Sequence, residues 1–240
     1  MSAGRGAHPG RVATQDQSRI RDAGRRSATA PGREGAPGRG APAPAPLGPL
    51  LVLTDRTQCR RPLVDVVAAA VDGGARTVVL REKDLPAADR AALADALRSA
   101  LAPVDGTLVL AGTALTGTGL AGTAVHLSAA DAVPEPRPAL LGRSCHDRAA
   151  VDRAAAEGCD WVTVSPVRLT SSKPGYGPAL GTAGLAALTG GPPAYALGGL
   201  TAADAGSCLA AGAVGVAVMG AVMRAARPDL VVGELLEALR

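Results

Sequence analysis

The stretch PAYALGGLTAADAGSCLAAGAVGVAVMG, residues 193 to 220, decides how the rest of the chain is read. Two short apolar runs, PAYAL (193 to 197) and VGVAV (214 to 218), enclose an Ala-rich segment that opens at Thr201 and closes at Gly212. A threonine hydroxyl caps the first N–H groups of a helix, and a glycine past the last turn accepts the left-handed backbone that ends it. Strands covered on both faces read as unbroken apolar runs, and strands separated by helices must pair in parallel. The stretch therefore predicts strand, helix, strand, with Gly198 and Gly199 at the first turn.

The same alternation runs back to residue 50. Six more apolar runs precede it: LLVLT (50 to 54), RTVVLR (76 to 81), TLVLA (107 to 111), TAVHL (123 to 127), ALLG (139 to 142) and DWVTV (160 to 164). Helical patterns separate them at 62 to 74, 85 to 101 and 147 to 159, while TALTGTGLA (113 to 121) predicts only a weak helix. Eight strand-helix units over 50 to 240 point to an α/β fold, a (β/α)8 TIM barrel somewhat smaller than usual. A doubly wound open sheet is the alternative, weakened because no GxGxxG follows the first strand.

Composition narrows the partners. Hydrophobic residues make up 47% of 240, with one Trp, two Tyr and no Phe, so the core is built of Ala, Val and Leu. The formal charge is +4, but residues 1 to 49 hold eight Arg against Asp16, Asp22 and Glu34, a surplus of five that leaves the barrel nearly neutral. That distribution, with so few aromatic rings to stack on bases, argues against a nucleic-acid partner. The Gly, Ala, Pro and Arg of residues 1 to 49 predict a disordered tail, without the apolar core of a secretory signal; a mis-assigned start would also explain it. No apolar run approaches a membrane span, so a cytoplasmic protein with no membrane contact is expected, and a homo-oligomer is compatible with the pattern. Cys59, Cys145, Cys159 and Cys208 form no CxxC pair and are expected to be reduced thiols.

In a parallel barrel, ligands meet the residues just past each strand's C-terminal end. Those positions hold Thr54-Asp55-Arg56, Arg81-Glu82-Lys83, Asp131, Ser144 and His146, then the long segment SPVRLTSSKPGYGPALG (165 to 181), Gly198-Gly199 and Met219-Gly220. A glycine pair at a helix start lets backbone N–H groups approach an anion, and in barrels this cradle commonly follows strands seven and eight. Gly-Gly also suits a plain capping turn. A segment as long as 165 to 181 is usually functional or disordered, and its Lys173 could close over a phosphate. Arg81 should point into the barrel, with Glu82 or a substrate carboxylate as partner.

The motifs LTDR, VVLREKDLP, VHL with the following Asp131, GRSCH, AAEGCDWVTVSPVRLTSSK and LGGLTAADAGSCLAAGAVGVAVM resemble, in that order, the thiamine-phosphate synthase family and its TenI-type thiazole tautomerases. The resemblance covers about 50 to 225 and implies a phosphate site for a thiazole phosphate at Thr170, Lys173, Gly198 and Gly199, with Met219 and Gly220 where relatives often carry Ser. It implies that Arg81 and Lys83 face a pyrimidine diphosphate, and that Asp131 is one metal-site carboxylate of a Mg2+-dependent synthase. It also exposes a departure: synthases carry Asn-Asp-Arg after strand three, and here Ala111, Gly112 and Thr113 stand there. Tautomerases likewise have Gly in place of that Asp, need no cofactor, and use the His of a GRSxH segment as acid/base, which assigns His146 as the proton shuttle.

His8 falls in the tail, and His126, inside AVHL, reads as a structural histidine. These expectations put a metal-independent thiazole tautomerase first, a synthase coupling aminopyrimidine diphosphate to thiazole phosphate with Mg2+ second, and a non-catalytic thiazole-phosphate binder third. Sugar-phosphate epimerases on the same fold rank below these.

Overall fold

The computed structural model describes residues 46–112, 123–170 and 178–240. Eight strands, β1 Leu50–Leu53, β2 Thr77–Leu80, β3 Thr107–Ala111, β4 Ala124–Leu127, β5 Leu140–Cys145, β6 Trp161–Val164, β7 Ala194–Leu197 and β8 Gly215–Val218, follow chain order around a closed barrel. Every pairing is parallel, and β8 closes on β1 with Leu50 opposite Val216. The open-sheet alternative is thereby excluded, because a doubly wound sheet leaves two edges unpaired.

Outside the strands lie α1 Leu63–Asp72, α2 Ala87–Leu101, α3 Arg148–Ala156, α4 Gly181–Leu188, α5 Ala202–Ala210, the single turn α6 Gly220–Met223 and α7 Pro228–Ala238. Helix α5 begins as its sequence predicts: Thr201 and Asp204 cap each other, with the Thr201 N–H donating to Asp204 Oδ2 at 3.0 Å. The weak helix expected over 113 to 121 falls outside the described residues. Strand β5 runs further than the apolar run ALLG, because Arg143 and Ser144 keep its alternation and pair with Val162 and Thr163.

Alternate residues face opposite sides. Val52, Val78, Leu80 and Leu110 point outward under the helices, while Leu51, Leu53, Val79, Val109, Trp161, Tyr195 and Ala217 fill the barrel. Trp161 is fully buried there, and its ring occupies the space into which a Cβ on Gly142, directly opposite in register, would project. Tyr195 closes the lower end: its hydroxyl donates to the Gly48 carbonyl at 2.8 Å and accepts from the Leu47 N–H at 3.3 Å. Thr77 Oγ1 donates to the Leu47 carbonyl at 2.6 Å. Residues before β1 also belong to the barrel, since Leu47 to Pro49 seal its floor and Pro49 O accepts from Val216 N at 2.9 Å.

Candidate active site

At the C-terminal ends of the strands a cavity of about 500 Å³ opens. Its floor is apolar, from Leu53, Val79, Ala111, Leu197 and Ala217, and its rim carries Asp55, Arg81, Lys83, Arg224, Ser144 and His146. Of the residues singled out in the sequence, Arg81, Lys83, His146, Thr170, Gly198, Gly199, Met219 and Gly220 all line it. Lys173 lies outside the described residues. Asp131 is not among the lining residues; its Oδ2 accepts from the Ser128 N–H at 2.8 Å and caps that turn. Burial pushes the Asp131 carboxyl up, but the Ser128 hydrogen bonds and the Lys83 and Arg143 charges outweigh it and hold it below the usual range.

The cations are exposed to the cavity because their neighbouring acids are taken. Glu82 is buried and engaged by Arg56, whose N–H and Nη1 each lie 3.0 Å from its carboxylate, so it is not the partner of Arg81. Asp84 also pairs with Arg56, at 2.6 Å. Asp55 accepts from the Thr57 hydroxyl and the Gln58 amide, each at 2.6 Å. Burial acts against it, yet those bonds and the Arg81 charge keep its carboxyl below the ordinary range. Arg81 and Lys83 form no ion pair among the described residues.

Lys83 leans across the end of β3: a Cβ on Gly112 would stand 3.7 Å from its Nζ. The corner where the synthase pattern has a metal-binding carboxylate therefore holds an ammonium. Mg2+ is held by one or two carboxylates plus substrate phosphates. Here the Oδ2 of Asp131 is engaged by the Ser128 N–H, and no group of three or more His, Cys, Asp or Glu among the described residues could hold a metal ion. The residues present do not fit a protein-held magnesium ion.

Across the barrel, Gly198 and Gly199 adopt φ of +109° and +62°, which L side chains rarely tolerate. Space requires glycine as well: a Cβ on Gly199 would strike the Leu169 carbonyl oxygen, and one on Gly198 would sit 3.0 Å from Pro166 Cα. The chain after β6 is laid along this turn by Val167 N–H to Leu197 O, 2.9 Å, and Arg168 N–H to Gly198 O, 3.0 Å. An Arg168–Asp204 ion pair at 2.8 Å fastens it to α5.

His146 follows β5, with Nδ1 2.7 Å from the Ser165 carbonyl oxygen. A carbonyl only accepts, so Nδ1 carries the proton in the neutral ring and Nε2 the lone pair. Sequence reasoning missed the place of His126. It is buried yet lines the cavity, its Nε2 3.0 Å from Ser144 Oγ and 3.3 Å from Thr163 Oγ1, its ring stacked on Trp161. The alternation of AVHL was the available signal, because it puts His126 on the same face as Ala124, inside the barrel.

Burial, then the Lys83 and Arg143 charges, hold the His126 imidazole down to about 4 from an ordinary 6.5. The unfolded chain binds this proton between those values and the folded chain does not, so stability should fall as pH drops from 6.5 to 4. The contribution is at most about 3 kcal/mol. Urea midpoints across that window should decline less steeply in His126→Asn than in the wild type; parallel declines would contradict the assignment.

A closed parallel barrel with cations and a glycine turn at its C-terminal mouth is an architecture suited to phosphorylated ligands. Comparison places it more closely. The thiamine monophosphate synthase (TMP-TENI) family pattern matches residues 50–222, and the chain belongs to that family. It is similar to the thiamine-phosphate synthases of Methanoculleus marisnigri, 40% identical over 184 residues, 72% of this chain and 87% of that protein, and of Roseiflexus sp., 36% over 197 residues, 78% and 84%. Among solved structures, the thiamine phosphate pyrophosphorylase of Pyrococcus furiosus superposes with a TM-score of 0.67 at 25% identity, covering 80% of this chain and 95% of that one. The chain is thus an enzyme of thiamine biosynthesis. The relatives carry the name of the synthase, which reverses the order of the two enzymatic expectations. Among the described residues no helix is long and apolar enough to cross a membrane.

Proposed function

We propose that this chain is a thiamine-phosphate synthase, joining an aminopyrimidine diphosphate to a thiazole phosphate with loss of diphosphate. One observation carries the reading: the cavity has two ends suited to anions. Lys83 reaches the β3 corner, while the glycine turn lies after β7, four strands away around a ring of eight and so directly opposite. Two phosphorylated substrates fill both ends and meet over the apolar floor. The names of the relatives support the same reading.

The chemistry needs little from the protein beyond placement and charge. The thiazole ring nitrogen attacks the exocyclic methylene carbon of the pyrimidine, the N–C bond forms, and the C–O bond breaks with its electron pair leaving on the diphosphate. Gly198 and Gly199, with Thr170 and Lys173, hold the thiazole phosphate. Lys83 and Arg81 stand where the leaving charge develops, fixed beforehand in a site that Leu53, Val79 and Ala111 keep poor in water. A coupling assay on the purified full chain tests this, with diphosphate release that requires both substrates as the supporting result.

A second reading rests on a separate observation. His146 lines the same cavity with Nδ1 held on the Ser165 carbonyl, and an imidazole oriented in this way suits moving a proton on a bound ring, the task of a thiazole tautomerase. Isomerisation of carboxythiazole phosphate without any coupling would favour it.

A further inference from the structure

We propose that Arg224 binds the substrate phosphate, supplying the side chain that position 220 lacks; this rests on assigning the Gly198-Gly199 end to a phosphate. Arg224 follows α6 and lines the cavity with Gly199, Thr201 and Gly220. Its guanidinium lies over Gly220 so closely that a Cβ there would overlap Nη1 and stand 2.6 Å from Nη2. With glycine at 220 the guanidinium lies directly over the backbone at the mouth of the site.

The guanidinium is held by the Gln58 amide oxygen, which accepts from Nη1, and the Gln58 amide nitrogen in turn donates to Asp55. This chain fixes the arginine through a neutral group. Arg168 and Arg227 each have a carboxylate partner, whereas Arg224 forms no ion pair among the described residues. A cation oriented by a neutral amide, with no ion-pair partner among the described residues and beside a glycine turn, is suited to a phosphate monoester, which a guanidinium grips with two parallel N–H groups.

The test compares binding of thiazole phosphate and of its dephosphorylated alcohol to the full chain by calorimetry. Charge-assisted bonds of this kind support a roughly ten- to hundredfold loss of phosphate affinity in Arg224→Ala, with alcohol binding unchanged. Arg224→Gln, of similar size but neutral, should lose as much, and Arg224→Lys should lose less. Arg224→Ala combined with Gly220→Ser should recover part of the loss, because the vacated space admits a hydroxyl donor. Phosphate affinity equal to wild type in Arg224→Ala and Arg224→Gln would overturn the role of Arg224 alone. A wild-type chain that binds the alcohol as tightly as the phosphate would overturn the phosphate end and this role together.

Discussion

Lys83→Met is expected to lower kcat/KM for coupling by roughly 10²- to 10³-fold, the usual consequence of removing one fixed electrostatic group from the place where charge develops. Methionine keeps most of the stem's length and loses only the ammonium. The effect should be large because Gly112 offers no carboxylate at this corner and the described residues form no cluster of acids that could hold a metal ion beside it. A spectroscopic readout accompanies it. The Lys83 charge helps to depress both the His126 imidazole and the Asp131 carboxyl, so Lys83→Met should raise both in an NMR titration. Activity within threefold of wild type, with the two titrations unmoved, would mean that Lys83 does not face the site as described.

The second large effect falls on the fold. Gly142→Ala should destabilise the barrel by about 3 kcal/mol, at the upper end of ordinary overpacking. The added methyl projects into the ring of Trp161, which is fully buried inside a closed barrel and has nowhere to move. The clash is specific, so the loss should not add to that of Trp161→Leu, which removes the obstructing ring. Denaturant unfolding of both single variants and the double would show the double at least ~1 kcal/mol more stable than the sum predicts. Strict additivity would place the destabilisation elsewhere.

The barrel was legible because its strands are short apolar runs and its turns carry Gly, Thr and Asp where helices begin and end. PAYAL, the Thr201 cap and VGVAV became β7, α5 and β8 almost to the residue. Helix α4 was faint, since GTAGLAAL has two glycines and few side chains to set a period. Most of the cavity's rim could be read because it is built at strand ends, and Arg81, Lys83, His146 and the glycine turn do line one cavity there.

What escaped were relations between distant residues. That Arg56 takes Glu82, that Lys83 stands over Gly112, and that Arg224 lies over Gly220 all depend on side-chain reach, which no local pattern encodes. Asp131 shows the converse: the resemblance implied a metal ligand, and its Oδ2 accepts from the Ser128 N–H.

The most direct measurement of the synthase proposal is diphosphate release by the purified chain given aminopyrimidine diphosphate and thiazole phosphate, singly and together, with carboxythiazole phosphate isomerisation followed on the same preparation. Release only in the presence of both substrates, matched mole for mole by the coupled product, is the expected result. Isomerisation with no diphosphate released would contradict it.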